Sequence, residues 1–474
     1  MKHKHEQQRA CDRCHATKEC CRRLNGSQVC ERCRRLGRLC ETRRQLNRPG
    51  RKPRAQKALL ATTADWTRDP ICFSPQSSAS IAPEAEIGTQ CQLVAVPRDL
   101  SPFGGLTPPE QQSLVVILDK DRFFERFVLG PTFQDDHFRA IITRLYTAMP
   151  LLKDAFLACA GIFADSPVPG TPRLNEAYYY QQATSGLGTF RSFQITSAGD
   201  TSLYLSLALA VLTFNIHVVG GSAFRLCRYT LPALQSLNDC RAEIDHDDFA
   251  FLICILHTEL EGCLFRNEVP SFRFQIRPEG FMNRYLGLSA PLLSYGYDLC
   301  VLSTKLHQAD ENGRQSLLVQ LQSLEAEISA WRPTYPADFL SRYSQAEVAH
   351  MLSQVQIFRQ SLLLIAHRLR HPFGTCVDRS EVLSDMILEQ FDSISSLVNR
   401  TVVSMDFALL VAAFEVRDPA KRKDVLDKVS LFQDLPVTYQ TRLKSILCTF
   451  WETADEKSGL LWFDLDRYLA PYLD

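Results

Sequence analysis

The sequence lacks the short motifs by which many enzymes can be identified. Its 474 residues contain no Walker phosphate-binding loop, no His-Glu-x-x-His zinc-protease motif and no Gly-x-Ser-x-Gly nucleophile turn. The acidic run at 243–248 includes His246 but has no nucleophile at an informative spacing, and such acids are stabilised at the start of a helix. We therefore expect a protein that is not an enzyme.

The chain also lacks a net charge, because 53 Lys and Arg residues balance 53 Asp and Glu residues. The average conceals a split between the two ends of the chain. Residues 1–58 hold 18 basic and 5 acidic side chains, a net charge of +13, and the remainder carries −13. A basic arm on a mildly acidic body indicates a nucleic-acid contact confined to the N-terminus.

Long apolar stretches are equally scarce. The longest, residues 203–219, is at the short limit for a membrane span and is interrupted by Ser206, Thr213, Asn215 and His217. We expect a buried helix in which His217 is a core or pocket histidine. The sequence therefore gives no reason to expect contact with a membrane.

Cysteine, in contrast, is concentrated in one place. Seven of the 17 cysteines lie in residues 11–40, and six of these repeat the spacing Cys-x2-Cys-x6-Cys twice. The six are Cys11, Cys14, Cys21, Cys30, Cys33 and Cys40. A Cys-x2-Cys pair lets two thiolates reach one metal ion, and zinc favours four sulfur ligands in a tetrahedron. Six cysteines fill the eight ligand positions of two zinc ions if two sulfurs bridge both ions, and the repeat suggests Cys11 and Cys30.

Two other arrangements could use the same cysteines. A disulfide framework suits a secreted protein, but no signal peptide precedes these residues and intracellular thiols stay reduced. A single zinc ion with four cysteine ligands also fits a known spacing and leaves Cys21 and Cys40 without a role. Its ligands are Cys11, Cys14, Cys30 and Cys33. Cys20 breaks the repeat and is interpreted as a free thiol.

The cysteine pattern resembles the fungal zinc binuclear cluster, the Zn₂Cys₆ family of transcription factors, and all six ligand positions of that family are filled. The resemblance also assigns the bridging role to Cys11 and Cys30. It implies two Zn²⁺ ions per chain and a short helix after Cys14 that enters the major groove of DNA. Lys18 matches the lysine with which the family reads the guanines of a CGG triplet, whose O6 and N7 atoms both accept hydrogen bonds.

Other basic side chains are expected to contact DNA with Lys18. The family helix is more basic than this one, where His15, Thr17 and Cys20 occupy basic positions, so we expect Arg13, Arg22 and Arg23 to contribute phosphate contacts.

The basic stretch Arg-Pro-Gly-Arg-Lys-Pro-Arg at 48–54 follows the cluster. Proline and glycine exclude a regular helix there. Arg48, Arg51, Lys52 and Arg54 are predicted to lie along DNA phosphates or in a minor groove. The same stretch is predicted to act as a nuclear localisation signal, with a solvated linker as the alternative. We therefore expect the protein in the nucleus.

The organisation of the rest of the chain follows from composition and periodicity. Residues 1–10 read as a disordered tail, 11–40 as the cluster, 41–107 as a basic and then Ser/Pro-rich linker, and 108–474 as an all-α domain. The linker lacks the apolar heptads of the coiled coil through which many relatives dimerise, so a homodimer is expected to form through the helical domain. Helices are predicted at 114–127, 136–149, 151–163, 175–193, 202–219, 223–237, 247–266, 317–331, 345–371, 381–397, 402–414 and 439–449.

The helical part resembles the regulatory domain that follows the cluster in fungal factors. Its last segment, 459–474, alternates apolar and acidic residues, which suits either a terminal helix docked on the domain or an activation segment for coactivators.

We predict a sequence-specific transcription factor acting on RNA polymerase II genes, with double-stranded DNA carrying CGG sites and the transcription machinery or coactivators as partners. The sequence texture resembles pathway-specific regulators of fungal secondary-metabolite gene clusters. The alternative is a zinc-stabilised protein-interaction module without sequence-specific DNA binding.

Overall fold

The computed structural model describes residues 104–164, 174–234, 245–273, 282–398, 400–432 and 434–473, and eight residues of the cysteine region. Those eight are Cys11, Cys14, Cys21, Val29, Cys30, Cys33, Arg34 and Cys40. The chain divides into two units, Met1–Cys72 and Phe73–Asp474. The predicted linker, 41–107, lies outside the described residues as far as residue 103. In the second unit, a helix begins at Pro108.

The described part of the second unit is built from helices. It contains no β-strand, and an isolated bridge joins Asn283 and Gly287. The prediction of a large all-α domain is therefore confirmed for the described residues. The α-helices are α1 (Pro108–Leu118), α2 (Lys120–Phe123), α3 (Pro131–Thr147), α4 (Met149–Ala158), α5 (Glu176–Ser192), α6 (Ala198–Phe214), α7 (Phe224–Ala233), α8 (His246–Arg266), α9 (Leu292–Gln308), α10 (Glu311–Ala330), α11 (Phe339–Arg342), α12 (Gln345–Arg370), α13 (Val377–Val398), α14 (Asp406–Ala413), α15 (Pro419–Phe432), α16 (Val437–Glu456) and α17 (Leu465–Leu473). Short 3₁₀ segments span Phe124–Arg126, Cys159–Phe163 and Trp462–Asp464, and a π-helical turn spans Asn215–Val219.

Side chains at the helix starts explain several boundaries. Ser344 and Glu347 form a capping box at α12, in which each side chain bonds the backbone amide of the other. Asp245 accepts a hydrogen bond from the Asp247 amide at the start of α8. The acidic run at 243–248 therefore marks a helix start, as predicted.

The observed helices differ from the predicted ones where a capping side chain or close helix packing, and not the apolar periodicity of the sequence, determines the helix bounds. The helix predicted at 114–127 ends at Leu118, because the carboxylate of Asp119 accepts a hydrogen bond from the Arg122 amide and caps the short α2. Periodicity gives no prediction for α9 or α15. The pattern of α9 is interrupted by Gly296, where an added Cβ would lie 2.6 Å from Leu260 Cδ2, so close packing of α9 on α8 requires the glycine.

The centre of the domain is α12, which packs against α9, α10, α13 and α14. Arg368 lies near its C-terminal end and has no exposed surface. Its Nε and Nη2 donate to the two carboxylate oxygens of Glu415 at 2.6 and 2.5 Å. The remaining donors reach the carbonyl oxygens of Pro372 and Thr375 and the hydroxyl of Ser380. The guanidinium is therefore fully hydrogen-bonded inside the core.

The longest apolar run forms α6 and the π-helical turn after it. By length and composition the segment Gly199–Val219 could cross a membrane, but 61% of its apolar window is buried inside the protein. α6 packs against α4, α5 and α8. The helix is therefore part of the domain core, as predicted.

The C-terminal segment packs on the domain. Trp462 is 1% exposed, and its indole Nε1 donates to the Leu264 carbonyl at 2.8 Å. Leu465 and Leu469 are fully buried, and α17 contacts α8 and α16. These contacts favour the docked helix over a free activation segment.

Removing Glu415, the counter-charge of Arg368, tests how much this buried ion pair contributes to the stability of the helical domain. Glu415→Ala should lower the free energy of unfolding by about 3–5 kcal/mol, because it leaves a buried guanidinium unpaired. Urea denaturation of the full chain, followed by circular dichroism, measures the change. Asp427→Ala is the control, since Asp427 pairs with Lys423 on the surface, with side chains 65% and 79% exposed. It should leave the midpoint unchanged, and equal shifts for the two variants would contradict the assignment.

Two glycines of α5, one at a close helix contact and one exposed, provide a matched pair of substitutions that tests the packing of this helix. A Cβ at Gly186 would lie 2.7 Å from Ala155 Cα in α4, whereas a Cβ at the exposed Gly188 would meet no atom within 4 Å. Gly186→Ala should therefore destabilise the domain by about 1–3 kcal/mol through overpacking. Gly188→Ala should stabilise it by about 0.5–1 kcal/mol, because alanine loses less backbone entropy in a helix. Thermal unfolding measures both, and a stabilising Gly186→Ala would refute the close approach.

Candidate metal centre and the cavity of the helical domain

The described cysteines of the first unit bring their sulfur atoms together. Cys11 Sγ lies 3.9 Å from Cys30 Sγ and 3.7 Å from Cys33 Sγ, and Cys14 Sγ lies 3.7 Å from Cys30 Sγ. A disulfide would place two sulfurs about 2.05 Å apart, so these thiols are free. Four sulfurs around one zinc at about 2.3 Å would be separated by about 3.8 Å, the edge of the tetrahedron. The observed spacing fits that edge.

The six cysteines form two groups of four that share two members. Within each group all sulfur atoms lie within 4.8 Å of one another. The first group is Cys11, Cys14, Cys21 and Cys30, and the second is Cys11, Cys30, Cys33 and Cys40. Cys21 and Cys40 thus each complete one group, and Cys11 and Cys30 belong to both. Either group could hold a metal ion.

Backbone amides donate to the sulfurs in the same way in both halves of the repeat. The amide of Cys14 donates to Cys11 Sγ and the amide of Cys33 to Cys30 Sγ, each at 3.4 Å. The amide of Cys11 donates to Cys21 Sγ at 3.3 Å and that of Cys30 to Cys40 Sγ at 3.2 Å. Such bonds stabilise thiolate over thiol and orient metal ligands.

The pKa values of these thiols and the repulsion between neighbouring thiolates favour a bound cation. The backbone hydrogen bond from Cys33 is the main cause that lowers the pKa of Cys30 to about 6. Burial, followed by the neighbouring sulfurs Cys11 and Cys30, raises the pKa of Cys14 to about 12. Thiolates in contact repel one another, and a bound metal removes that penalty while releasing the protons. A donor set made only of cysteine sulfur suits zinc.

The side chains predicted to contact DNA lie outside the described residues. They are Lys18, Arg13, Arg22, Arg23, Arg48, Arg51, Lys52 and Arg54, and the neighbouring Cys20 lies outside as well.

The helical domain contains a partly open cavity of about 190 Å³. Its wall is formed by α6, the π-helical turn, α8, the start of α14 and the first half of α16. His217 is one of its residues, so the expectation of a core or pocket histidine is confirmed. Among the other ionisable or polar residues of its lining are His257, Glu261, Asp406, Tyr439 and Arg442. Sequence reasoning missed them because they are scattered over almost 200 positions with no motif spacing.

Burial shifts the pKa of four of these groups toward the neutral form. It lowers the pKa of His217 and of His257 to about 3. It raises the pKa of Glu261 well above its ordinary value, with the nearby Asp406 as a second cause. It also raises the pKa of Asp406, whose carboxylate accepts a hydrogen bond from the Tyr439 hydroxyl at 2.5 Å. The cavity is therefore a polar site of low dielectric inside a helical core.

The described cysteines could hold metal, and the described part of the second unit is all-α. The family described as "Fungal specific transcription factor domain" matches residues 136–466, from α3 into α17, and the chain belongs to that family. It is a family of transcription regulators and not of enzymes. No curated protein and no solved structure is significantly similar to the chain.

Proposed function

We propose that the protein is a sequence-specific DNA-binding transcription factor for RNA polymerase II genes, which reaches DNA through a zinc binuclear cluster at its N-terminus. The observation that carries the proposal is the pair of four-sulfur groups sharing Cys11 and Cys30 in a chain of the fungal transcription factor family. Zinc in such a cluster supplies folding energy, because the ligands do not come together in the unfolded chain.

Two zinc ions account for the geometry better than one. Each ion would take one group of four sulfurs, with Cys11 and Cys30 bridging both. A single ion bound by four cysteines of the two Cys-x2-Cys pairs would leave Cys21 and Cys40 idle, yet each of them completes a group and accepts a backbone hydrogen bond. We therefore assign all six cysteines as ligands.

The DNA contacts follow from charge and from the family pattern. Lys18 would read the guanines of a CGG triplet, while Arg13, Arg22 and Arg23 contact phosphates. The stretch 48–54, with Arg48, Arg51, Lys52 and Arg54, would follow the backbone and direct the protein to the nucleus. The net charge of +13 over residues 1–58 supports DNA as the partner.

A zinc-stabilised interaction module is the second candidate function. It would need the same cysteines but neither Lys18 nor the basic arm. A gel shift with a library of CGG-containing duplexes separates the two, because an interaction module would bind them no better than other duplexes of the same length.

The narrower role is regulation of one pathway, such as a fungal secondary-metabolite gene cluster. Mapping of the genomic sites occupied by the protein, combined with transcript changes in a deletion strain, would identify that pathway and whether the genes are activated or repressed. A homodimer through the helical domain is part of the proposal and is tested by sedimentation of the full chain.

Metal content is the first test of the proposed cluster. We expect two zinc ions per full-length chain by elemental analysis, and loss of DNA binding when a chelator removes them. Cys21→Ser should lower zinc content and DNA affinity together. Cys448→Ser is the matched control, since Cys448 is an exposed free thiol of the helical domain. One zinc per chain with Cys21 dispensable would instead establish the four-cysteine site.

Lys18→Ala tests base reading. If Lys18 pairs with guanine, the variant should lose about 1–3 kcal/mol of binding free energy on CGG duplexes and discriminate less against duplexes with adenine at those positions. Quantitative gel shifts on both duplexes measure this. Uniform weakening on all sequences would assign Lys18 to phosphate contact.

The basic arm supplies the contrasting variant. Neutralising Arg48, Arg51, Lys52 and Arg54 together should weaken binding equally on both duplexes and flatten the slope of log affinity against log salt, because fewer counterions are released. The preferred triplet should not change. A tagged full-length form should also leave the nucleus, and an unaltered slope with unaltered localisation would reduce the arm to a linker.

A further inference from the structure

The helical-domain cavity contains hydrogen-bond donors that the protein does not use. Among the described residues, neither Nε nor Nη1 of Arg442 has a hydrogen-bond partner, although both atoms are buried. His217 Nδ1, which donates or accepts according to the tautomer of the neutral ring, is buried and unpartnered as well. A buried hydrogen-bonding group without a partner destabilises the fold, and a charged one does so more strongly, so their presence in one cavity points to a ligand.

The backbone around His217 is built to hold this side chain in place. His217 lies in the π-helical turn Asn215–Val219, a type of distortion that often occurs at functional sites. The turn ends at Gly220, whose φ of +74° suits glycine, and an added Cβ there would lie 2.1 Å from Thr438 Oγ1 in α16. Thr438 in turn donates to the Val219 carbonyl at 3.2 Å. The turn is thereby fixed against the helix that carries Arg442.

The acids of the cavity, in contrast, already have neighbours. Asp406 accepts a hydrogen bond from Tyr439 at 2.5 Å, and Glu261 Oε1 lies 3.5 Å from His257 Nε2. Burial raises the pKa of both carboxyl groups and so weakens their negative charge. Asp434, a third acid of the lining, likewise lies 3.3 Å from Arg126 Nε. The unpartnered nitrogens of Arg442 therefore remain without a counterpart in the cavity, and a ligand that matches them must present an acceptor.

The rest of the wall sets the size and the apolar character of the ligand. Phe127, Leu209, Leu410 and Ile446 are among the apolar residues of the cavity. At about 190 Å³ the cavity is somewhat larger than an engineered apolar cavity of about 150 Å³ that binds benzene. One ring with a few substituents would fill it.

We propose that this cavity binds a small monocyclic organic acid, whose anionic oxygen pairs with the guanidinium of Arg442 and whose ring lies on the apolar wall. A charge-assisted bond to Arg442 would satisfy the unpartnered donors and is stronger than a neutral one. Because the wall combines α6, α8, α14 and α16, binding stabilises the contacts among these helices. The inference concerns the helical domain and holds whether or not the cysteine cluster binds DNA.

The test uses the full-length protein with benzoate, benzamide and benzylamine as probes of one shape and different charge. We expect benzoate to raise the melting temperature in a concentration-dependent way and to give a measurable Kd by calorimetry. Benzamide should bind at least tenfold more weakly, and benzylamine should not bind. Stronger binding of benzylamine than of benzoate would overturn the proposal, as would the failure of all three probes to bind.

Three variants locate the site. Arg442→Gln should weaken benzoate binding at least tenfold, and Thr258→Leu, which adds volume to the cavity wall, should abolish it. The second variant keeps the test decisive should the first fold poorly. Lys444→Gln, which removes one positive charge from α16 outside the cavity lining, should leave the Kd of benzoate unchanged. Unchanged benzoate binding in both Arg442→Gln and Thr258→Leu would place the acid elsewhere and refute the assignment.

Discussion

Burial of the Arg368 guanidinium is the constraint on which the centre of the helical domain depends. A charge in a low-dielectric core is tolerated only when it is paired and its donors are bonded. Meeting that demand ties α12 to the second residue after α14, through Glu415, and to the connection between α12 and α13, through the carbonyl of Pro372. It also ties α12 to α13 itself, through the hydroxyl of Ser380. Four segments of the chain thus meet at one guanidinium group, beside the contacts that α12 makes with α13 and α14.

The cysteine unit meets a similar demand by different means. Within each group of four, its sulfurs lie within 4.8 Å of one another, where several thiolates cannot coexist without compensation. Backbone amides supply part of it, in the same pattern in both halves of the repeat. A bound cation would supply the rest. In this small unit the metal would replace the apolar core that the helical domain possesses. Folding of the cysteine unit would then depend on metal binding.

The cavity shows where the helical domain does not satisfy its own polar groups. Around Arg368 every donor is used, whereas Nε and Nη1 of Arg442 remain unpartnered among the described residues. Two arginines of one domain therefore have opposite roles. Arg368 makes all its hydrogen bonds within the core, whereas Arg442 keeps donors with which a bound ligand can pair. For a family of transcription regulators, such a site gives the domain a physical means to respond to a small molecule.

The sequence by itself determined the features that depend on local spacing. The doubled Cys-x2-Cys-x6-Cys pattern singled out six cysteines, and apolar periodicity predicted an all-α domain with the close bounds of α5, α8 and α12. Only the tertiary structure decided what depends on long-range contact. In the tertiary structure α9 packs closely on α8 at Gly296, and the C-terminal segment packs on the domain through Trp462. Arg368 pairs with Glu415, which lies 47 positions away in the sequence. The tertiary structure also gathered His217, Glu261, Asp406 and Arg442 around one cavity. The spacing of these residues along the chain carries no period, because each position is fixed by a different helix.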